Sequence, residues 1–459
     1  MNEESAKPRQ GNVVEFNVER LNGKGIGVGT YSGYEVAVRG AIPGDRVRAI
    51  LRRVKNRRRE GEARIVERVG EKVARIDPSC AHFGVCGGCL WQDLAYLDQV
   101  ELKEQLVRNV MNPNASVEIG VTLLAPESYR YRNKMEFSIG QNAEGQIEIG
   151  LHPSGQFGHI FDLEECKLMR EEMSDIVEDV RCFAQENGLS AYDLRTHEGL
   201  LRFLTLREGT STGEVMVVIT TSGEPFEKIG ALAHRLCERF PVIKSVMHTI
   251  NREKAQIAYG DEGVIVLGDS TIQEHLGDFT FEVSSSSFFQ PNVKQADKMF
   301  ARIVSLCELT GSESVLDAYC GTGGISLCLS QHVKRVVGVE MSEAAIKDAS
   351  INSAANGVDN VRFVAGPAEN LLGQLCKQGD RFDVAVTDPP RSGMHHKATR
   401  GLIDLQPTRI VYVSCNPTAL AADVAIFEAH GYELNYLQLV DMLPQTPHCE
   451  VLARLDKVA

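Results

Sequence analysis

No apolar run among the 459 residues reaches the roughly 18 that a membrane span requires. Met1 to Gln10 is polar and lacks the apolar core of a secretory leader, so a cytoplasmic location is expected. The 12 cysteines are not arrayed as the framework of a small secreted domain. Most are expected to be reduced packing residues, with a few left for metal or catalysis. Hydrophobic residues at 43% and charged residues at 24% are ordinary for a globular chain of about three domains.

Overall charge conceals an asymmetry. The chain totals −13, yet residues 1–75 hold 17 Lys+Arg against 10 Asp+Glu, a net +7, leaving −20 for the remainder. The excess peaks in Arg52-Arg53-Val54-Lys55-Asn56-Arg57-Arg58-Arg59, six cations in eight residues. One concentrated basic patch on an acidic protein points to a polyanion such as RNA.

Residues 11–68 carry five short strand patterns, near 13–18, 25–28, 35–38, 45–50 and 63–66, punctuated by Gly and Pro turns. That pattern predicts a small barrel of the oligonucleotide-binding kind. Gly23-Lys24-Gly25-Ile26-Gly27-Val28 with Ala41-Ile42-Pro43-Gly44-Asp45-Arg46-Val47 resembles the TRAM domain, an RNA-binding barrel.

Cys80, Cys86 and Cys89 follow, the last two separated by Gly87-Gly88, with Cys166 as a fourth candidate 77 positions on. Glycine turns let several thiolates converge on one centre without strain. Four thiolates suit zinc or an iron–sulfur cluster. Three clustered ligands plus a distant one favour the cluster over the paired knuckles of zinc. Between 120 and 285 the chain alternates strands with a helical stretch near 168–188. Tyr129 to Phe137 interleaves aromatics with cations, as a strand holding RNA would.

From 286 onward the pattern is α/β, with strands expected at 314–319, 335–340, 361–364, 383–387, 409–414, 434–441 and 449–454. This predicts a doubly wound sheet whose ligands sit at the strand C-termini. The loop Asp317-Ala318-Tyr319-Cys320-Gly321-Thr322-Gly323 lacks the third spaced glycine of a pyrophosphate loop. Glu340 ends the next strand, 23 positions after Asp317, where a carboxylate accepts from a ribose diol. A phosphate-free nucleoside, S-adenosylmethionine, fits this loop better than NAD. Asp388-Pro389-Pro390-Arg391 closes the fourth strand. Arginine stands there where adenine-amino methyltransferases place an aromatic, which suits a guanidinium on a phosphate or base. Cys415 ends the strand Arg409 to Ser414 in a Ser-Cys-Asn-Pro turn. Alone it reads as a small packing residue; beside these motifs, and with Glu450 downstream, it reads as a nucleophile. Cys449 is expected to face away from Glu450, because adjacent strand residues alternate.

Taken in order, the cysteine cluster, Ser286 to Asn292, the Asp317 loop, Asp388 to Arg391, Ser414 to Pro417 and Pro447 to Glu450 resemble the RNA uracil-5-methyltransferase family, in its TRAM-containing 23S ribosomal RNA branch. The resemblance implies three domains: a TRAM-like barrel over 1–70, a central α+β domain with the iron–sulfur site over 71–285, and a Rossmann-like class I methyltransferase domain over 286–459. It implies Cys415 as nucleophile and Glu450 as general base. Gln290, Tyr319, Glu340 and Asp388 would contact S-adenosylmethionine, and Cys80, Cys86, Cys89 and Cys166 would hold a [4Fe-4S] cluster. The implied partner is RNA, 23S ribosomal or transfer, with no membrane and no obligate protein partner. Uracil C5 is a weak carbon nucleophile, so a thiolate on C6 is the natural activator, and a base must later remove the C5 proton. A target base in folded RNA must be extruded to reach such a site. A transfer-RNA uracil-54 enzyme shares this chemistry. A radical methylthiotransferase would carry CxxxCxxC ahead of a C-terminal TRAM, which this order contradicts. A non-catalytic RNA-assembly factor would have no use for Cys415 and Glu450 together.

Overall fold

The computed structural model describes residues 7–458 apart from 157, 224, 259 and 261; the terminal segments 1–6 and 459 lie outside the described residues. Strands β1 (Val13–Leu21), β2 (Gly27–Tyr31), β3 (Tyr34–Val38), β4 (Arg46–Lys55) and β5 (Glu60–Gly70) close a barrel in the order β1-β2-β3-β5-β4. Alternation fills it: Val14, Phe16 and Val18 of β1 point inward with Val36, Val38, Val47 and Ala49. β4 and β5 run longer than their apolar patterns. The basic run is therefore the end of β4 and its hairpin turn, where Lys55 pairs with Glu60 at 3.1 Å and Arg53 lies 3.9 Å from Glu62.

Helix α1 (Tyr96–Met111) and the two-residue strand β6 (Glu118–Ile119) come next. Leu102 and Leu106 of α1 share a core with Trp91, Leu94 and the barrel residues Leu21 and Ile42. The central sheet contains β7 (Lys134–Gln141), β8 (Ile147–Leu151), β9 (Phe161–Asp162), β10 (Leu201–Glu208), β11 (Val215–Thr221), β12 (Ile243–Ile250) and β13 (Glu262–Gly268), ordered β13-β12-β11-β10-β7-β8-β9. Helices α2 (Glu171–Glu186) and α3 (Ile229–Arg239) contribute to its core. The stretch from Tyr129 differs from expectation. The strand begins only at Lys134, and Tyr131 is buried with its hydroxyl donating to the Pro444 carbonyl at 2.9 Å. Its aromatic character serves packing there.

The hairpin β14 (Ile272–Leu276) and β15 (Phe279–Val283) packs with α4 (Val293–Cys307) in the C-terminal core. The C-terminal sheet follows with β16 (Ser314–Ala318), α5 (Gly324–Ser330), β17 (Arg335–Glu340), α6 (Glu343–Ala355), β18 (Val361–Ala365), α7 (Ala368–Gln378), β19 (Val384–Thr387), α8 (His396–Leu405), β20 (Arg409–Ser414), α9 (Pro417–Glu428), β21 (Tyr432–Val440) and β22 (Glu450–Lys457). Its order is β18-β17-β16-β19-β20-β22-β21-β6, with β22 antiparallel to both neighbours. All seven strands expected here are present. β6 adds an eighth, parallel to β21, and it is supplied from within the segment expected to be central. Two residues carry no periodicity that could announce a partner more than 300 positions away.

Both faces of this sheet are covered, so its inner strands are apolar throughout. Alternation still sorts them. Ile410 and Tyr412 of β20 pack with α7, α8 and α9, whereas Val411 and Val413 pack with α4, α5 and the β14–β15 hairpin.

Candidate active site

That alternation fixes which side chains meet at the carboxyl edge of the parallel strands. Val315, Val336, Val384 and Val413 lie on the α4–α5 face. Counting in twos puts Asp317, Glu340, Asp388 and Cys415 on the same face at successive strand ends. β22 runs the other way, so its first residue reaches this edge. Ser414 pairs with Val451, and one further step sets Cys415 opposite Glu450. Cys449, one residue back, is 3% exposed and packs with Val451 and Leu420 on the other face. The expected division between Cys449 and Glu450 is what the structure has.

A cavity of about 900 Å³ opens over this edge, lined by Gln290, Tyr319, Glu340, Asp388, Cys415 and Glu450. The structure thus brings together both expected catalytic residues and all four expected cofactor residues. Their supports come from neighbouring loops and from the central domain. The Glu340 carboxylate accepts from Ser342 N–H at 2.9 Å and Gly321 N–H at 3.3 Å, tying it to the glycine loop. Tyr319 turns that loop with φ +67°, a conformation costly for an aromatic residue and held by its N–H to the Val339 carbonyl. Gln290 Nε2 lies 3.5 Å from an Asp388 oxygen, and the Gln290 carbonyl accepts from Asn133 of the central domain at 2.9 Å. Asn416 caps α9 by accepting from Thr418 N–H, and donates to the Arg391 carbonyl at 2.8 Å. The turn bearing Cys415 is thereby fastened to the Asp-Pro-Pro-Arg loop.

The electrostatics are acidic and strained. Burial raises Asp317 to about 7, with Asp388 and Glu340 nearby pushing the same way. One Asp317 oxygen accepts from Ser326 at 2.6 Å while the other has no hydrogen-bond partner. Burial also raises Asp388. Glu450 is driven well above the usual carboxylate range by burial and then by Asp388, against the opposing pull of Arg391. Cys415 is raised to about 11 by burial, with Glu450 and Asp388 adding to the rise and Arg391 opposing it. A site crowded with carboxyl groups that resist ionisation is arranged for a cationic ligand.

Several features had no clear signal in the sequence. Arg391 donates to His448 Nδ1 at 2.8 Å, and burial with surrounding cations lowers His448 to about 4, so its ring is a neutral acceptor. Met341, directly after Glu340, is 70% exposed at the cavity wall. Phe288 is 65% exposed and lines both this cavity and a second one.

That second cavity, about 590 Å³, is lined by Cys80, Cys86, Cys89 and Cys166. The thiols sense one another: burial raises Cys89 to about 12, with Cys166, Cys86 and Cys80 adding to the rise. Even so, among the described residues no group of three or more His, Cys, Asp or Glu is close enough to hold a metal ion. A four-cysteine metal site is therefore not established by these positions. Among the described residues no helix is long and apolar enough to cross a membrane.

Comparison with known proteins agrees with this geometry. The family model described as tRNA (uracil-5-)-methyltransferase matches residues 95–458. A protein of Halalkalibacterium halodurans named as an uncharacterized RNA methyltransferase is 36% identical over 459 residues, covering 99% of each chain. One of the same description from Chlorobaculum tepidum is 35% identical over 479 residues, covering 100% of this chain and 99% of its own. Among solved structures, the Pyrococcus abyssi tRNA (uracil-54, C5)-methyltransferase in complex with S-adenosyl-L-homocysteine superposes with a TM-score of 0.75 at 27% identity, covering 96% of this chain and 100% of that one. The chain belongs to the tRNA (uracil-5-)-methyltransferase family and is an S-adenosylmethionine-dependent RNA methyltransferase.

Proposed function

We propose that the enzyme methylates C5 of a uridine in 23S ribosomal RNA, with Cys415 as nucleophile and Glu450 as general base. The observation that carries this reading is the pairing of β20 with β22, which sets Cys415 opposite Glu450 at the mouth of the acidic cavity. Gln290, Tyr319, Glu340 and Asp388 would hold S-adenosylmethionine, whose sulfonium supplies the electrophilic methyl group and whose positive charge suits these carboxyl groups. The Cys415 thiolate adds to C6 of an extruded uracil, and the C5–C6 electron pair moves onto the C4 carbonyl as an enolate. C5 then takes the methyl group. The Glu450 carboxylate accepts the C5 proton, the C6–S bond breaks, and the C5=C6 bond and the thiolate are restored. Once ionised, a carboxyl group with a raised pKa is the stronger proton acceptor for that step. Arg391, held by His448, faces the same cavity and would steady the enolate or the flanking phosphate.

The four cysteines would carry a [4Fe-4S] cluster. They line one cavity, and burial raises the Cys86, Cys89 and Cys166 thiols with neighbouring thiols adding to the rise, a condition that positive iron relieves. A cluster also holds its ligands farther apart than one ion does, which is compatible with the lack of a compact ion site. The ribosomal assignment rests on the barrel joined to this cysteine set. The second reading, a transfer-RNA uridine, is favoured by the Pyrococcus abyssi structure, whose substrate is tRNA uracil-54. Mass-spectrometric mapping of 5-methyluridine in ribosomal and transfer RNA from a deletion strain separates the two. For the mechanism, Cys415→Ala is expected to abolish both methyl transfer and the covalent adduct with 5-fluorouridine RNA; turnover by that variant would refute it.

A further inference from the structure

The barrel reaches the segments that present Cys415 and Glu450. Its β1–β2 loop is folded on itself: Asn22 accepts from Lys24 N–H at 2.9 Å and Ile26 N–H at 3.1 Å, and Gly25 N–H reaches the Asn22 carbonyl at 2.8 Å. This rigid tip lies against both segments that present the reacting pair. A Cβ on Gly23 would stand 2.4 Å from Thr418 Oγ1, three residues past Cys415. A Cβ on Gly25 would stand 2.1 Å from Pro447 Cβ, three residues before Glu450, and Gly25 holds φ +69°. At Gly25 only a residue without a side chain permits such an approach, because the proline ring cannot turn aside; a side chain at Gly23 would force the Thr418 hydroxyl out of its present rotamer. The barrel's Arg39 is also among the cations that keep His448 neutral.

The strap 441–449 that leads to Glu450 is held elsewhere too. Lys103 of α1 meets Asp441 at 2.5 Å and the Leu443 carbonyl at 3.1 Å. Gln99 of α1 accepts from Gln445 N–H at 2.8 Å, and Tyr131 holds the Pro444 carbonyl. Those bonds secure residues 441–445. Pro447, nearer to the base, meets the barrel tip.

We infer that the β1–β2 loop of the barrel is a positioning element of the active site, setting Glu450 against Cys415 by wedging Gly23 on Thr418 and Gly25 on Pro447. The inference rests on the Cys415–Glu450 reading and extends it: the barrel contributes to the chemical step as well as to RNA affinity. Reacting groups displaced by an ångström lose rate far more than binding does.

The test uses the full-length protein with RNA from a deletion strain as methyl acceptor, and the same RNA bearing 5-fluorouridine to time adduct formation at Cys415. Gly25→Ala is expected to lower kcat by roughly tenfold to a hundredfold and Gly23→Ala by roughly threefold to tenfold, with RNA KM and direct RNA binding within about threefold of the parent. Gly23→Ala/Thr418→Ala is expected to regain most of the lost kcat, because the next atom facing the new methyl group is Thr418 Cβ at 3.6 Å, an ordinary contact. If Gly25→Ala fails to fold, the Gly23–Thr418 pair decides alone. A raised KM with unchanged kcat, or a double variant no better than Gly23→Ala, would overturn the positioning role. Failure of the parent enzyme itself to form the adduct or 5-methyluridine would instead overturn the underlying reading.

Discussion

Lys103 and Asp441 form an ion pair with both side chains 0% exposed, joining α1 to the start of the strap that leads to Glu450. Replacing Lys103 by Met keeps much of the volume and removes the charge. Asp441 would then be a buried carboxylate without its cation, and the Leu443 carbonyl would lose a donor. Breaking one side of such a pair destabilises by about 3–5 kcal/mol. With a urea dependence of about 3 kcal/mol per molar, the unfolding midpoint should fall by roughly 1–1.7 M. The chain contains one tryptophan. That residue, Trp91, is 1% exposed, and its carbonyl accepts from Gln99 of α1, so its fluorescence reports on this junction. Removing both charges in Lys103→Met/Asp441→Leu should recover at least half the loss, since an apolar pair leaves nothing unsatisfied. A midpoint for Lys103→Met within about 0.3 M of the parent, or a double variant worse than the single, would show that the pair does not hold the strap.

Glu450→Gln should add its thiolate and take the methyl group but fail to lose the C5 proton, accumulating a covalent RNA–protein complex on denaturing gels; prompt release of 5-methyluridine would remove Glu450 from the base role. Arg391→Met removes the cation that opposes the rise of Cys415 toward about 11. The thiol pKa should therefore climb further, and the rising limb of the adduct-formation rate should move to higher pH; an unmoved limb would mean that Arg391 does not act on the thiol. Protein purified without oxygen should be brown, with four irons per chain on metal analysis, and Cys86→Ser should lose the colour. A colourless parent with stoichiometric zinc would return the site to that metal.

Much of the site was legible because its residues sit at the ends of strands with strong patterns. Asp317, Glu340, Asp388 and Cys415 each follow an apolar run of β-branched residues, and alternation alone places them on one face. The Cys449–Glu450 choice was decidable for the same reason. The connection of α1 and β6 to the C-terminal sheet was not legible. Gln99 and Lys103 belong to no motif, and only burial against the strap makes them ties. Tyr131 likewise reads as a base-stacking residue until Pro444 is found beside its hydroxyl. The Arg391–His448 pair spans 57 positions and leaves no local trace.

The sequence by itself determined the barrel, the class of the C-terminal sheet and the strand ends that carry Glu340, Asp388 and Cys415, because each follows from short-range periodicity or a contiguous motif. Tertiary structure alone decided how those pieces act together. The antiparallel return of β22 sets Glu450 against Cys415. Burial of Asp317, Asp388 and Glu450 near the strand ends raises their affinity for protons and suits a cation. The approach of Gly23 and Gly25 to Thr418 and Pro447 makes the barrel part of the active site. Each depends on contacts between residues hundreds of positions apart, and such contacts are set by packing and register that no local pattern encodes.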